Sequence, residues 1–286
     1  MNKVNNISGV VDLKLMANTL RQDILKALHE AGSGHAAGAL GMADIFTALY
    51  FNIANIDPGD VSWSGRDRIV LSNGHICPVL YAAMAHAGYF PVKELMTLRK
   101  FGGRLHGHPH NEALPGLENS SGPLGQGISI AAGMALAAKM KSQEHTVYCL
   151  MGDGEINEGQ PWEAFMFSAA KKLDNLIVII DRNYIQIDGN TEEVMPLDPL
   201  DKKFEAFNFH VIEIDGNDMA AVLSALADAK KVTGKPVCII ANTVPGKGVS
   251  FMERKHEWHG KVPDAGQLEK ALEELDEERA GLEGSA

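Results

Sequence analysis

Residues 145–154, HTVYCLMGDG, and residues 176–183, LIVIIDRN, decide the fold. Each is a short, nearly continuous apolar run that ends abruptly in polar turn chemistry, as expected of a strand buried on both faces. Between them, residues 160–172 read as a helix, so the two runs become parallel strands joined by a helical crossover. The same kind of run recurs at 67–72 (DRIVLS), 209–214 (FHVIEI) and 236–244 (PVCIIANTV).

Helical periodicity fills the intervals. Residues 12–31 put Leu13, Met16, Leu20, Ile24 and Leu28 on one face before Gly32 ends the helix. Residues 41–51, 76–87, 125–141 and 218–231 read as further helices, and the small residues of 125–141 suit close packing. The expected fold class is α/β, a parallel sheet with helices on both faces. No linker rich in Pro, Gly or Ser divides the chain, so one domain is expected over 1–263, followed by an acidic helical extension over 264–286. That extension holds eight acids against Lys270 and Arg279, with Leu268, Leu272 and Leu275 on its inner face. It reads as a solvated closing helix.

Bulk properties narrow the function. With 45% hydrophobic and 22% charged residues, 286 residues can bury a substantial core in an ordinary globular protein. The net charge of −11 argues against a nucleic-acid groove or an anionic membrane as partner. Cys77, Cys149 and Cys238 show no CxxC spacing, and the last two lie in strand-like runs, as small core residues do. MNKVNNISGVVD lacks an apolar stretch suited to a signal peptide, and no run approaches a membrane span, so a cytoplasmic protein is expected.

The turn Gly152-Asp153-Gly154 follows the strand-like run directly. Two glycines let backbone approach a phosphate, and Asp153 supplies a hard oxygen for Mg²⁺ or Ca²⁺ at the sheet edge where α/β proteins bind ligands. Twenty-eight residues separate Gly154 from Asn183, enough for one helix and one return strand. Asn183 therefore arrives beside Asp153. A carboxylate, an amide oxygen and a backbone carbonyl leave room for two diphosphate oxygens and a water in an octahedral shell. Either tripeptide alone reads equally well as a tight turn.

Eleven histidines are many for this length. Four sit in glycine-flanked turns, Ser33-Gly34-His35, Asn73-Gly74-His75, Gly107-His108-Pro109 and Trp258-His259-Gly260, where any one alone is most simply a hydrogen-bonding surface group. His106, His108 and His110 alternate and in extended backbone would point the same way, which leaves zinc as a weaker reading. Glu155 and Glu158 fall where the helix dipole stabilises acids, and for Glu155 the role stays open.

GDG followed by a further 28 residues and then Asn resembles the thiamine-diphosphate fingerprint. SGH at residue 35, DRIVLSNGH at 67–75, GHP at 107–109, GPLGQG at 122–127, GDGEINEG at 152–159 and WHG at 258–260 stand in the order seen in transketolases, over residues 12–263. On these motifs the chain is identified as a member of that family, which implies the thiamine-diphosphate-binding fold and, within it, the diphosphate-binding domain. The resemblance implies Asp153, Asn183 and the carbonyl of Ile185 as ligands of Mg²⁺, with Ca²⁺ or Mn²⁺ as alternatives. Gly154, Asn183, His75 and His259 become contacts of thiamine diphosphate, and Gly122, Pro123 and Leu124 supply backbone to its aminopyrimidine. His35, His108 and His259 become catalytic groups, since imidazoles suit proton transfer to and from sugar oxygens. Glu158 matches the acid at the interface where two active sites communicate.

The implied activity is transfer of a two-carbon ketol unit from a ketose, a sugar phosphate being the expected donor, to an aldose. Two departures stand out. Ala36 replaces the proline that commonly follows SGH, and the chain stops where a full-length transketolase continues with a pyrimidine-binding and a C-terminal domain. Those domains, with the glutamate that supports the pyrimidine, are expected on a partner subunit in a two-plus-two heterotetramer. The α subunit of a 2-oxoacid dehydrogenase shares the diphosphate motif, but the SNGH, GHP and WHG histidines count against it. A non-catalytic relic is hard to square with every metal ligand and imidazole in place.

Overall fold

The computed structural model describes residues 7–284. Residues 1–6, which open the stretch read for a signal peptide and the domain expected from residue 1, and residues 285–286 of the acidic extension lie outside the described residues. All five apolar runs become strands of one sheet: β1 (Arg68–Leu71), β2 (Val147–Gly152), β3 (Leu176–Arg182), β6 (His210–Asp215) and β7 (Val237–Asn242). Between β3 and β6, β4 (Ile185–Gln186) and β5 (Gly189–Asn190) form a small antiparallel hairpin. The sheet order is β1-β2-β3-β7-β6, with every pairing parallel.

The two-residue period of a strand sends alternate side chains into two separate cores. Cys149, Met151, Val178, Ile180 and Ile240 enter one, while Tyr148, Leu150, Ile177, Ile179 and Ile239 enter the other. The first core is covered by α5 (Gly127–Met140), α6 (Gly159–Ala170) and α8 (Leu200–Ala206). The second is covered by α1 (Val10–Ala31), α2 (Ala37–Gly41), α3 (Ala43–Ala48), α4 (Cys77–Ala87), α9 (Met219–Ala229) and α10 (Ala265–Glu283). A single turn, α7 (Thr191–Val194), follows the hairpin. Cys149 and Cys238 are fully buried strand residues, and all three cysteines are free. No helix among the described residues is long and apolar enough to cross a membrane.

Helix ends follow local chemistry. Gly32 adopts φ 68° and returns its N–H to the Leu28 carbonyl at 3.0 Å, which closes α1. Asp264 and Gln267 form a capping box that starts α10. Ala271 and Leu275 of α10 are fully buried, Leu268 packs partly against the same core, and Asn18 of α1 donates to the Leu275 carbonyl at 2.8 Å. The acidic helix thus docks along α1. Residues 41–51, expected as one helix, are broken instead. Met42 takes φ −86°, ψ 0° between α2 and α3, and Leu49–Ile53 widen into a π turn. A Cβ on Gly41 would stand 3.0 Å from the Val244 carbonyl oxygen, so the loop after β7 presses on the break.

Candidate active site

Strand register assembles the site. Gly152 pairs with Asp181 and Asp181 with Ala241, so the turns after β2 and β3 leave the carboxyl edge of the sheet side by side. A cavity of about 290 Å³ opens there. Asp153, Gly154, Asn183 and Ile185 line it, as do His35, His75, His108 and His259, with Gly122 and Leu124. Motifs scattered over more than two hundred residues of sequence meet in one place. Pro123 and Glu158 are not among the lining residues; both are exposed, Glu158 as the N-cap of α6.

Asp153 is buried, and its carboxylate is held on both oxygens. Oδ1 accepts from the Gly154 N–H at 2.7 Å, and Oδ2 accepts from the Tyr184 N–H at 2.8 Å and Arg182 Nη1 at 3.1 Å. Burial pushes its pKa up to about 6 against the pull of Arg182. Asp181 accepts from Thr243 Oγ1 at 2.5 Å and Asn183 Nδ2 at 2.8 Å, and burial pushes it up to about 7. Asn183 Oδ1 accepts from the Ile185 N–H at 3.0 Å, while the Ile185 side chain is buried in the core beneath. A buried carboxylate on a cavity, with an amide and a main chain alongside, fits a hard divalent cation, which would offset the cost of keeping Asp153 ionised. Among the described residues no group of three or more His, Cys, Asp or Glu side chains is arranged to hold a metal. The candidate cation site has one carboxylate and otherwise neutral oxygens.

The imidazoles form a second cluster. The ring of His35 lies 5.1 Å from that of His75, 5.5 Å from His259 and 6.3 Å from His108, centre to centre. His75 and His259 are 5.0 Å apart. Burial, then His259, Arg99 and His108, lowers the pKa of His35 to about 4. Burial also lowers His75, His108 and His259, with the neighbouring imidazoles adding to the effect on His75 and the Arg99 guanidinium to that on His108. Near neutral pH these rings are free bases, able to take a proton from a substrate. The alternating trio does not act as a group: the rings of His106 and His110 lie 5.7 Å apart, whereas His108 belongs to the cluster around His35.

Glycine makes this packing possible at Gly74 and Gly127. A Cβ on Gly74 would stand 2.9 Å from that of Ser121, and one on Gly127 would stand 2.7 Å from the Ser72 Cα. Glu155, whose role the sequence left open, ties the same loops together. Its buried carboxylate accepts from the Ser72 hydroxyl, the Gly125 N–H at 2.7 Å and the Gly152 N–H at 3.0 Å. Replacing it by alanine leaves buried donors without an acceptor, each costing about 1–3 kcal/mol. Glu155→Ala is therefore expected to lower the urea midpoint of unfolding clearly, and a wild-type midpoint would refute this structural role.

Sequence reasoning missed Asn73, Gln186, Ile187 and Asp188, which also line the cavity. Asn73 Oδ1, Gln186 Nε2 and His35 Nδ1 are buried atoms without a hydrogen-bond partner. Asn73 lies within the SNGH motif and could have been found there. Gln186 and Ile187 reach the cavity only through the β4–β5 hairpin, whose two-residue strands leave no periodicity to read.

This fold, with this cavity at its strand ends, places the chain in the class of α/β domains that cradle a diphosphate cofactor. The family model described as "Transketolase, thiamine diphosphate binding domain" matches residues 13–278, and the chain belongs to that family. It is 44% identical over 270 residues to a 6-deoxy-6-sulfo-D-fructose transketolase subunit of Clostridium sp. (strain MSTE9), covering 94% of this chain and 98% of that one. It is 43% identical over 269 residues to one subunit of an apulose-4-phosphate transketolase from Actinobacillus succinogenes, covering 93% and 97%. Among solved structures, transketolase from Pichia stipitis superposes with a TM-score of 0.85 at 32% identity, covering 97% of this chain and 45% of that chain. The chain thus spans about half the length of that transketolase.

Proposed function

We propose that this chain is the diphosphate-binding subunit of a two-chain transketolase, which with its partner moves a two-carbon ketol unit from a ketose to an aldose. The observation that carries the reading is the cluster of His35, His75, His108 and His259 in the same cavity as Asp153 and Asn183. Asp153, Asn183 and the Ile185 carbonyl would hold the cation, Mg²⁺ first and Ca²⁺ or Mn²⁺ as alternatives, with Gly154 against the diphosphate. Thiamine diphosphate, when bound, supplies the nucleophilic carbon that breaks and remakes the C–C bond. His35 and His259, kept neutral, accept protons from sugar hydroxyls and return them to alkoxides, and His108 offers a polar group over the reacting end. His75 and the backbone of Gly122, Pro123 and Leu124 orient the cofactor. Glu158, exposed at the start of α6, is available to a neighbouring chain.

Two relatives are named for sulfonated and phosphorylated sugars, which supports an anionic ketose as donor. Relatives named as subunits support a partner chain, and two-fold symmetry favours a two-plus-two heterotetramer, acting in the cytoplasm. In the assembled enzyme, His35→Ala and His259→Ala are each expected to lower turnover by about 10²–10⁴-fold. Melting temperatures should stay near wild type, because neither ring is part of the buried core. Aldose release from a ketose phosphate is the assay. Variants that lose stability but keep normal specific activity would make these histidines structural, and decarboxylation of a 2-oxoacid in place of ketol transfer would overturn the reaction class.

A further inference from the structure

Arg182 is the largest of the fully buried side chains, 1% exposed, and it lies directly behind the candidate metal site. A guanidinium persists in such a place only if its donors are met. Here both terminal nitrogens are fully used. Nη1 donates to Asp153 Oδ2 at 3.1 Å and Thr191 Oγ1 at 3.0 Å, and Nη2 donates to Glu192 Oε1 at 2.5 Å and Asp198 Oδ1 at 3.1 Å. The guanidinium also lies 4.0 Å from the centre of the Tyr184 ring. One side chain therefore joins the turn after β2 to the segment 184–198, which carries Ile185 and Gln186 into the cavity wall.

We propose that Arg182 is a positioning residue for the divalent cation. It occupies Asp153 Oδ2, leaving Oδ1, which takes only the Gly154 N–H at 2.7 Å, with a lone pair for the metal. It also makes fixation of that carboxylate and ordering of the 184–198 wall a single event. Charge permits this arrangement: Asp153, Glu192 and Asp198 surround one guanidinium, so the cluster keeps an excess of negative charge and does not repel a cation. A lysine would keep the charge but not the planar fork that serves four acceptors at once. The inference rests on the reading of Asp153 as a metal ligand.

The test follows thiamine-diphosphate binding by calorimetry in the assembled enzyme across Mg²⁺ concentrations, with limited proteolysis of residues 184–198 in parallel. Arg182→Met is expected to raise the half-saturating Mg²⁺ by about 10–100-fold, the usual cost of losing a residue that orients a metal ligand. Arg182→Lys should fall between that variant and wild type. Cofactor with Mg²⁺ should protect the segment from protease in wild type but not in Arg182→Met. Unchanged Mg²⁺ demand in Arg182→Met, whether or not its melting temperature falls, would overturn the proposal. Should that variant fail to assemble, the double variant Glu192→Gln, Asp198→Asn loosens Arg182 from its more exposed side, and the same two readouts decide. A wild type without metal-dependent cofactor binding overturns the Asp153 assignment and this proposal together. An Arg182 variant matching a metal-dependent wild type overturns this one alone.

Discussion

The purified chain, supplied with ketose donor, aldose acceptor, thiamine diphosphate and Mg²⁺, is expected to show no turnover, and adding its partner subunit is expected to restore it. The reason lies in the cavity. Its carboxylates are Asp153, Glu155, Asp181 and Asp188. The first three are bound by hydrogen bonds within the chain, and Asp188 sits exposed on the hairpin turn. The three buried ones are already engaged, and the fourth is a solvated aspartate; none is the glutamate that the resemblance to transketolases assigns to the other half for supporting the pyrimidine. Leu124 and Ile187 on the cavity wall are 40% and 75% exposed. Apolar side chains around an open cavity mark a surface that a partner covers. The measurement is the initial rate of aldose release with and without the second chain, and full activity from this chain alone would sink the split-subunit reading.

Asp153→Ala and Asn183→Ala are expected to weaken cofactor binding more than any other single changes at the site. Residues that merely orient a metal ligand cost about 10–100-fold in affinity, so removing the ligand itself should exceed the upper end of that range. The loss should appear as a steep demand for Mg²⁺, because a hard cation deprived of an oxygen is bound weakly and bridges the diphosphate poorly. Asp153→Ala carries a second consequence: it leaves Arg182 buried with one acceptor fewer, so its folding stability should also fall. Asn183→Ala also removes a donor from Asp181 and the acceptor of the Ile185 N–H, but it leaves every partner of the Arg182 guanidinium in place. Calorimetric titration of thiamine diphosphate across Mg²⁺ concentrations checks both, and wild-type affinity with wild-type metal dependence in both variants would remove the metal assignment.

Much of this architecture was legible because it rests on short-range rules. Strands buried on both faces read as unbroken apolar runs, and β2, β3 and β7 fall within a residue or two of their expected limits. The spacing from Gly154 to Asn183 encodes a crossover, so the neighbouring strand ends could be inferred from that interval alone. What stayed hidden depends on contacts between distant segments. Arg182 in DRN reads as a turn residue. Its burial is evident only when Asp153, Thr191, Glu192 and Asp198 converge on it. At the break beside Met42 the loop after β7 lies against Gly41, a contact that no window around residue 42 contains. Glu155 looks like an acid placed for the helix dipole until Ser72 and Gly125 arrive from two distant loops to join Gly152 as its donors.

Ile185 divides its labour between side chain and main chain, and that division limits what mutagenesis can reveal. Its side chain is 7% exposed and belongs to the core, whereas the oxygen assigned to the metal is a peptide carbonyl that every amino acid carries. Alanine scanning would therefore score residue 185 as a packing position, with a stability loss and intact chemistry. A metal contact made through that carbonyl would be silent. Side-chain identity carries the same asymmetry: Asp153 and Asn183 would act through their own side-chain oxygens, while any apolar side chain of similar volume at 185 presents the same carbonyl. Only a change to the backbone, such as an amide-to-ester substitution that weakens this carbonyl as a donor to metal, would expose its part in the site.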